Sequence, residues 1–153
     1  MVQNPPEGSP RVAPYLLYED AGAALDWLAK AFGFVEVQRL DGPDGVAHAE
    51  MAVADSRIML GNPGPDFKSP KHLGAVTHNT YVYVDDIEAH FARAKAAGAT
   101  ILDEVEEQFY GDKRYGVEDP EGHVWYFAEH VRDVSPEEMQ AAAQQLATSA
   151  AGD

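Results

Sequence analysis

The sequence predicts an α+β fold built from two tandem strand–helix–strand–strand–strand (βαβββ) units and a C-terminal helix. Three observations carry this reading. One order of elements occurs twice along the chain. An acidic pair, Glu19-Asp20 and Asp85-Asp86, stands before each unit's helix, and a glycine, Gly33 and Gly98, follows each. A chain of 153 residues that is 45% hydrophobic has the size and apolar content of one domain with a real core.

Residues 1–10 hold three prolines and a glycine and read as a flexible lead-in. The first unit spans 11–62. Val12–Tyr18 is apolar and β-rich after Pro14, and Glu19-Asp20 then occupies the N-cap position of a helix. Over 21–32, the apolar residues Ala21, Ala24, Leu25, Leu28 and Phe32 recur at helical spacing. Gly33 suits the left-handed position that closes a helix. Residues 35–40 alternate as a strand, Asp41–Gly45 is turn-rich, and further strands fall at 46–53 and 57–61 around the turn 54–56.

A linker over 63–76, rich in proline and lysine, separates the units. The second unit spans 77–131. Tyr81–Val84 is its first strand, and Ile87, Phe91 and Ala94 form the buried stripe of its helix. Ile101-Leu102 opens the next strand, and Asp119–Gly122 is a turn before the strand 123–127. An offset of 66 lays Tyr81 on Tyr15 and Asp86 on Asp20, and the same offset in the last strand lays Tyr126 on Leu60. In the tail, 132–153, Ser135-Pro136-Glu137-Glu138 forms a capping box ahead of a stripe of Met139, Ala142, Ala143 and Leu146. That helix is expected to pack on its own domain or on a partner subunit.

Acids outnumber bases 26 to 11, for a formal charge of −15, so phosphate backbones and anionic membranes are disfavoured as partners. The absence of cysteine removes disulfides, thiolate metal sites and a cysteine nucleophile. Neither a signal peptide nor a membrane-spanning run is evident, and a cytoplasmic protein is expected. The excess of acid is concentrated in residues 77–153, with 16 acids and 5 bases, including Asp103-Glu104-Val105-Glu106-Glu107. That run reads either as a solvated strand edge or as a field that attracts a basic ligand.

The segments PYLLYEDAGAALDWLAKAFGF, GVAHAEMAVADSRIMLG, YVYVDDIEAHFARAKAAGA, YGDKRYGVEDPEGHVWYFAEHV and DVSPEEM, together covering residues 12–139, resemble the vicinal oxygen chelate superfamily. This is the group of glyoxalases, bleomycin-resistance proteins and extradiol dioxygenases. The resemblance implies a cupped, partly closed eight-stranded mixed sheet around a cavity, usually in a homodimer. It does not fix the chemistry, because the superfamily includes lyases, dioxygenases, epimerases, transferases and drug binders.

In metal-dependent members, ligands come from the start of strand one and a glutamate on strand four of each unit. Carried over, these positions fall on Ala13 and Asn79, and on Leu60 and Tyr126, which cannot supply the donors that a catalytic divalent ion needs. No cofactor is therefore expected. His48 and Glu50, at i, i+2 on one strand, face the same side. They read as polar lining, or as half of an atypical metal site completed by His78 or His123. For His123 alone, a solvent-facing strand start is the plainer reading; His90 reads as structural, and His72 and His130 have no evident partner.

The resemblance places Asn79, Tyr81 and Tyr83, with Val124 and Tyr126, on the cavity face, and turns Trp125 and Phe127 away from it. The aromatic segment 108–115, with Phe109, Tyr110 and Tyr115, is positioned to close over a ligand. Aromatic walls carrying phenol groups suit a flat amphipathic molecule. The expected function is metal-free binding of such a molecule, of the drug-sequestering type, with Tyr81, Tyr83, Tyr126, His48, Glu50, Asn79, Phe109, Tyr110 and Tyr115 as ligand contacts. The alternatives are a metal-dependent glyoxalase-like lyase or isomerase using His48, Glu50 and His78, and metal-free acid–base catalysis.

Overall fold

Asp20 accepts a hydrogen bond from the Ala23 amide and Asp86 one from the Ala89 amide, at 3.0 Å each, so both long helices begin where the acidic pairs place them. The architecture around them comes from a computed structural model that describes residues 1–152. The first module is β1 (Tyr15–Leu17), α1 (Ala21–Phe32), β2 (Val35–Gly42), β3 (Gly45–Val53) and β4 (Ser56–Gly61). A short helix, α2 (Pro70–Leu73), lies in the linker. The second module is β5 (Asn79–Tyr83), α3 (Ile87–Ala96), β6 (Thr100–Glu107), β7 (Asp112–Glu118) and β8 (Val124–His130), and α4 (Pro136–Ala151) closes the chain.

The eight strands form two four-stranded sheets, ordered β1-β4-β3-β2 and β5-β8-β7-β6. In each sheet the first strand runs parallel to the last, and the remaining pairs are antiparallel. A parallel pair needs a crossover, and the module's helix supplies it across one sheet face. Leu25, Leu28 and Phe32 of α1 and Ile87 and Ala94 of α3 bury that face together with Leu16, Met51, Leu60, Val117, Trp125 and Phe127. Side chains alternate along a strand, so the residues between these project from the opposite face of each sheet, which among the described residues α1 and α3 leave uncovered.

The modules meet through α1, α3 and the turn between β7 and β8. The Phe32 ring packs against Phe127 at 4.6 Å and Trp125 at 5.6 Å between centroids. Arg93 of α3 donates to the Ala29 and Lys30 carbonyls at the C-terminal end of α1. In the turn, Asp119 accepts from the Tyr18 hydroxyl at 2.7 Å and from the Trp125 indole at 3.1 Å, and Glu121 accepts from the Glu19 and Asp20 amides. Burial, reinforced by the Asp119 carboxylate, raises the Tyr18 pKa far above its ordinary value.

Three sequence expectations change. Leu60 is fully buried on the helix side and pairs with Leu16, while Met59 lies opposite Tyr15 as Tyr126 lies opposite Tyr81. The shift arises because β3 and β4 are joined by Ala54-Asp55 alone, whereas β7 and β8 are joined by the longer turn Asp119–His123. His123 lies in that longer turn, not on a solvent-facing strand. It is 8% exposed and bonds the Leu17 carbonyl through Nε2 at 2.7 Å. Tyr115, expected in a ligand-closing loop, belongs to β7 and pairs with Phe127 on the helix side, where it is fully buried.

The capping box of α4 is present, with reciprocal bonds between Ser135 and Glu138. None of its residues is buried.

Candidate functional site

On the helix-free face of the second sheet, β5 presents Asn79, Tyr81 and Tyr83, and β8 presents Val124 and Tyr126 beside them. Tyr81 and Tyr83 are 38% and 59% exposed, and their rings meet edge to face at 5.5 Å. Both hydroxyls donate to Oδ2 of Asp112, at 2.7 and 2.9 Å. Desolvation and the bond to Asp112 push the Tyr81 pKa strongly up, and the nearby Tyr110 phenol adds to the shift. The Asp112 bond is the main cause of the rise at Tyr83. Burial by itself would raise the Asp112 carboxyl, but hydrogen bonds from His130, Tyr81 and Tyr83 outweigh it and hold its pKa below the ordinary value.

The Tyr126 ring packs against Gly116, where an added Cβ would come within 2.8 Å of it. Its hydroxyl donates to Asp103 at 3.1 Å, and the Arg114 guanidinium sits 4.5 Å from the ring centroid. Phe109 and Tyr110 occupy the turn between β6 and β7, edge to face at 5.3 Å. Gly111, at φ +96°, lets the Arg132 backbone approach closer than any side chain would allow; its carbonyl accepts from the Val131 and Arg132 amides. The chain beyond β8 is thereby tied beside Asp112.

The first sheet carries a different set on its helix-free face. Tyr15 and Leu17 of β1 lie beside His48 and Glu50 of β3 and Met59 of β4. The Tyr15 hydroxyl bonds Nδ1 of His48 at 2.7 Å. Nε2 of His48 is 3.6 Å from Glu50, and Glu50 accepts from Arg57 at 3.1 Å. Arg57 also donates to Ser9 at 3.3 Å, so the lead-in lies against this face. His78 lines a groove of about 280 Å³ with Tyr15, Leu17, Phe67, Val76 and His123.

The structure therefore gathers Tyr81, Tyr83 and Tyr126 on one face and His48 with Glu50 on another. Among the described residues, no hydrogen bond joins the two sets, and none joins His78 to His48 or Glu50. The metal that the superfamily resemblance implies does not fit these donors. At the carried-over position Tyr126 is a phenol already bound to Asp103, and Met59, which takes Leu60's place, offers only a thioether. Glu50 already has a cation in Arg57, and among the described residues no three His, Asp or Glu side chains are placed to hold an ion.

Sequence reasoning did not reach Asp112 and His130. They lie directly opposite each other in the β7–β8 ladder, and Nδ1 of His130 meets Oδ1 of Asp112 at 2.7 Å.

Two βαβββ modules, each folded as a four-stranded mixed sheet with a crossover helix on one face, define the class as a paired-module α+β protein. The family model described as the Glyoxalase/Bleomycin resistance protein/Dioxygenase superfamily matches residues 10–127, and the chain belongs to that family. An uncharacterised protein of Mycobacterium bovis is 39% identical over 140 residues, covering 87% of this chain and 91% of its own. The crystal structure of TioX from Micromonospora sp. ML1 is similar at a TM-score of 0.67 and 30% identity, covering 80% of this chain and 100% of that one. The fosfomycin resistance protein FosX from Listeria monocytogenes shares the fold, at a TM-score of 0.59 and 15% identity over 86% of this chain and 98% of its own. Among the described residues, no helix is long and apolar enough to cross a membrane.

Proposed function

We propose that this protein binds a planar, amphipathic small molecule on its tyrosine-bearing sheet faces and sequesters it without a metal. The observation that carries the reading is the pair Tyr81 and Tyr83, two exposed rings held in place by the buried Asp112. A face with fixed aromatic rings binds a flat molecule with little loss of side-chain freedom. Each stacked ring contributes about 0.5–1.5 kcal/mol beyond area burial. The faces are open on a single chain, so a homodimer in the cytoplasm, with a second copy covering the ligand, completes the reading. The family description, which includes bleomycin resistance proteins beside glyoxalases and dioxygenases, agrees with a role in handling small molecules.

The acid–base alternative draws on the Tyr15–His48 bond. It is weaker at the next step, because 3.6 Å between His48 and Glu50 is too long for a hydrogen bond. A panel of planar aromatic compounds screened by thermal shift, followed by calorimetry on the best of them, tests the proposal. Tyr81→Ala with Tyr83→Ala should weaken binding at least about tenfold while the fold is retained. Unchanged affinity in the double variant contradicts it.

A further inference from the structure

Tyr81 and Tyr83 each have one hydroxyl proton, and both protons point inward to Oδ2 of Asp112. The carboxylate is 3% exposed. His130 fixes its other oxygen through Nδ1 at 2.7 Å and reaches Asp133 through Nε2, also at 2.7 Å. A carboxylate at each nitrogen favours the imidazolium form of His130, which can donate from both. The hydroxyls therefore turn lone pairs, not protons, toward a ligand, beside two ring faces. Tyr126 repeats the pattern by donating to Asp103. The Arg114 guanidinium, 4.5 Å from the Tyr126 centroid, already covers that ring, so the rings left open to a ligand are Tyr81 and Tyr83.

We infer that Asp112 and His130 are a positioning pair that makes the tyrosine face select planar aromatic cations, such as protonated aromatic amines, over aromatic carboxylates of the same shape. The inference rests on the aromatic-binding reading above and adds the charge class of the ligand. A ligand N–H meets phenol oxygens whose own protons are already engaged. At the Tyr81 and Tyr83 oxygens a carboxylate meets the same lone pairs without a donor and loses its hydration unrepaid. Within the cluster, the charge of His130 offsets that of Asp112 and leaves Asp133 in excess. Arg114, Asp103, Glu106 and Glu118 are the other charged groups that β6 and β7 place on this face.

The test is calorimetry at neutral pH on the full chain with three probes sharing one ring system: an aminoquinoline protonated at that pH, neutral quinoline, and a quinoline carboxylate. The aminoquinoline should bind at least about tenfold more tightly than the carboxylate. Asp112→Asn hands a proton-donating amide to the phenols and should shrink the ratio to within about threefold. His130→Asn removes the balancing positive charge and should widen it. A purely structural role for the pair moves both variants in the same direction, and that result overturns the inference. Equal affinity for cation and carboxylate in the unaltered protein also overturns it, while leaving aromatic binding in place. If none of the three probes binds, quinoline included, the aromatic-binding reading fails and this inference fails with it.

Discussion

Tyr115 donates its hydroxyl to Nδ1 of His90 at 2.6 Å, and Nε2 of the same ring bonds the Phe32 carbonyl at 3.1 Å. The carbonyl can only accept and the phenol donates, so the imidazole is neutral with its proton on Nε2. The pair links β7 to α3, and through Phe32 it links the second module to the first. Removing the hydroxyl with Tyr115→Phe leaves a part-buried nitrogen without its donor. The expected loss is about 1–2 kcal/mol in chemical denaturation, with ligand affinity unchanged. A loss of affinity without a loss of stability would return Tyr115 to the ligand site.

Burial drives the His90 pKa down to about 4, with Arg93 adding to the effect against the Phe32 bond. Between about 4 and the ordinary value near 6.5 the unfolded chain binds a proton that the folded chain refuses. The contribution of His90 is therefore complete above about pH 6.5 and is lost as the pH falls toward 4. Allowing for the solvent that reaches a part-buried ring, the loss is on the order of 2 kcal/mol. His90→Gln, which keeps a donor and an acceptor, should flatten the pH dependence of stability across that window.

His130 runs the other way. Hydrogen bonds to Asp112 and Asp133 hold its pKa above the ordinary value. Its contribution is present below the unfolded value and is lost as the pH rises through the folded one. An imidazole titration followed by NMR should place its midpoint above that of a free histidine. Asp112→Asn should bring it down, and an unmoved midpoint would remove Asp112 as its partner.

The helices, their caps and the repeat were legible because those signals are local. Asp20 and Asp86 cap three residues ahead of themselves, and the stripes of α1 and α3 lie within a few turns. On β5 and β8, alternation groups Tyr81 with Tyr83 and separates Tyr126 from Trp125 and Phe127, while the resemblance, not the periodicity, indicated which of the two faces is the open one. Tyr115 was misread because the face of a strand residue depends on register, and treating 108–115 as one loop discards the register of β7. Leu60 was misassigned because turn length sets the offset between the last strands, and turn length is not periodic. The Asp112–His130 pair joins strands 18 residues apart in sequence, and only the ladder brings them together. An acidic residue beside Gly111, opposite a His-x-x-Asp run at 130–133, was the available signal.

Asp119 holds four donors: the Tyr18 hydroxyl, the Trp125 indole, and the Glu121 and His123 amides. Asp119→Ala strands several buried groups at the junction of the modules. It should cost at least about 3 kcal/mol in equilibrium unfolding. A loss below about 1 kcal/mol would mean that water replaces the carboxylate and that the junction does not depend on it.

Ring-labelled tyrosine NMR during a titration with a planar aromatic ligand tests the tyrosine face as the binding site most directly. Tyr115 is fully buried on the helix side and serves as the internal control. Saturating ligand should move the Tyr81 and Tyr83 ring signals together and leave Tyr115 in place. Binding detected by calorimetry with the Tyr81 and Tyr83 signals unmoved would put the ligand elsewhere and contradict the account.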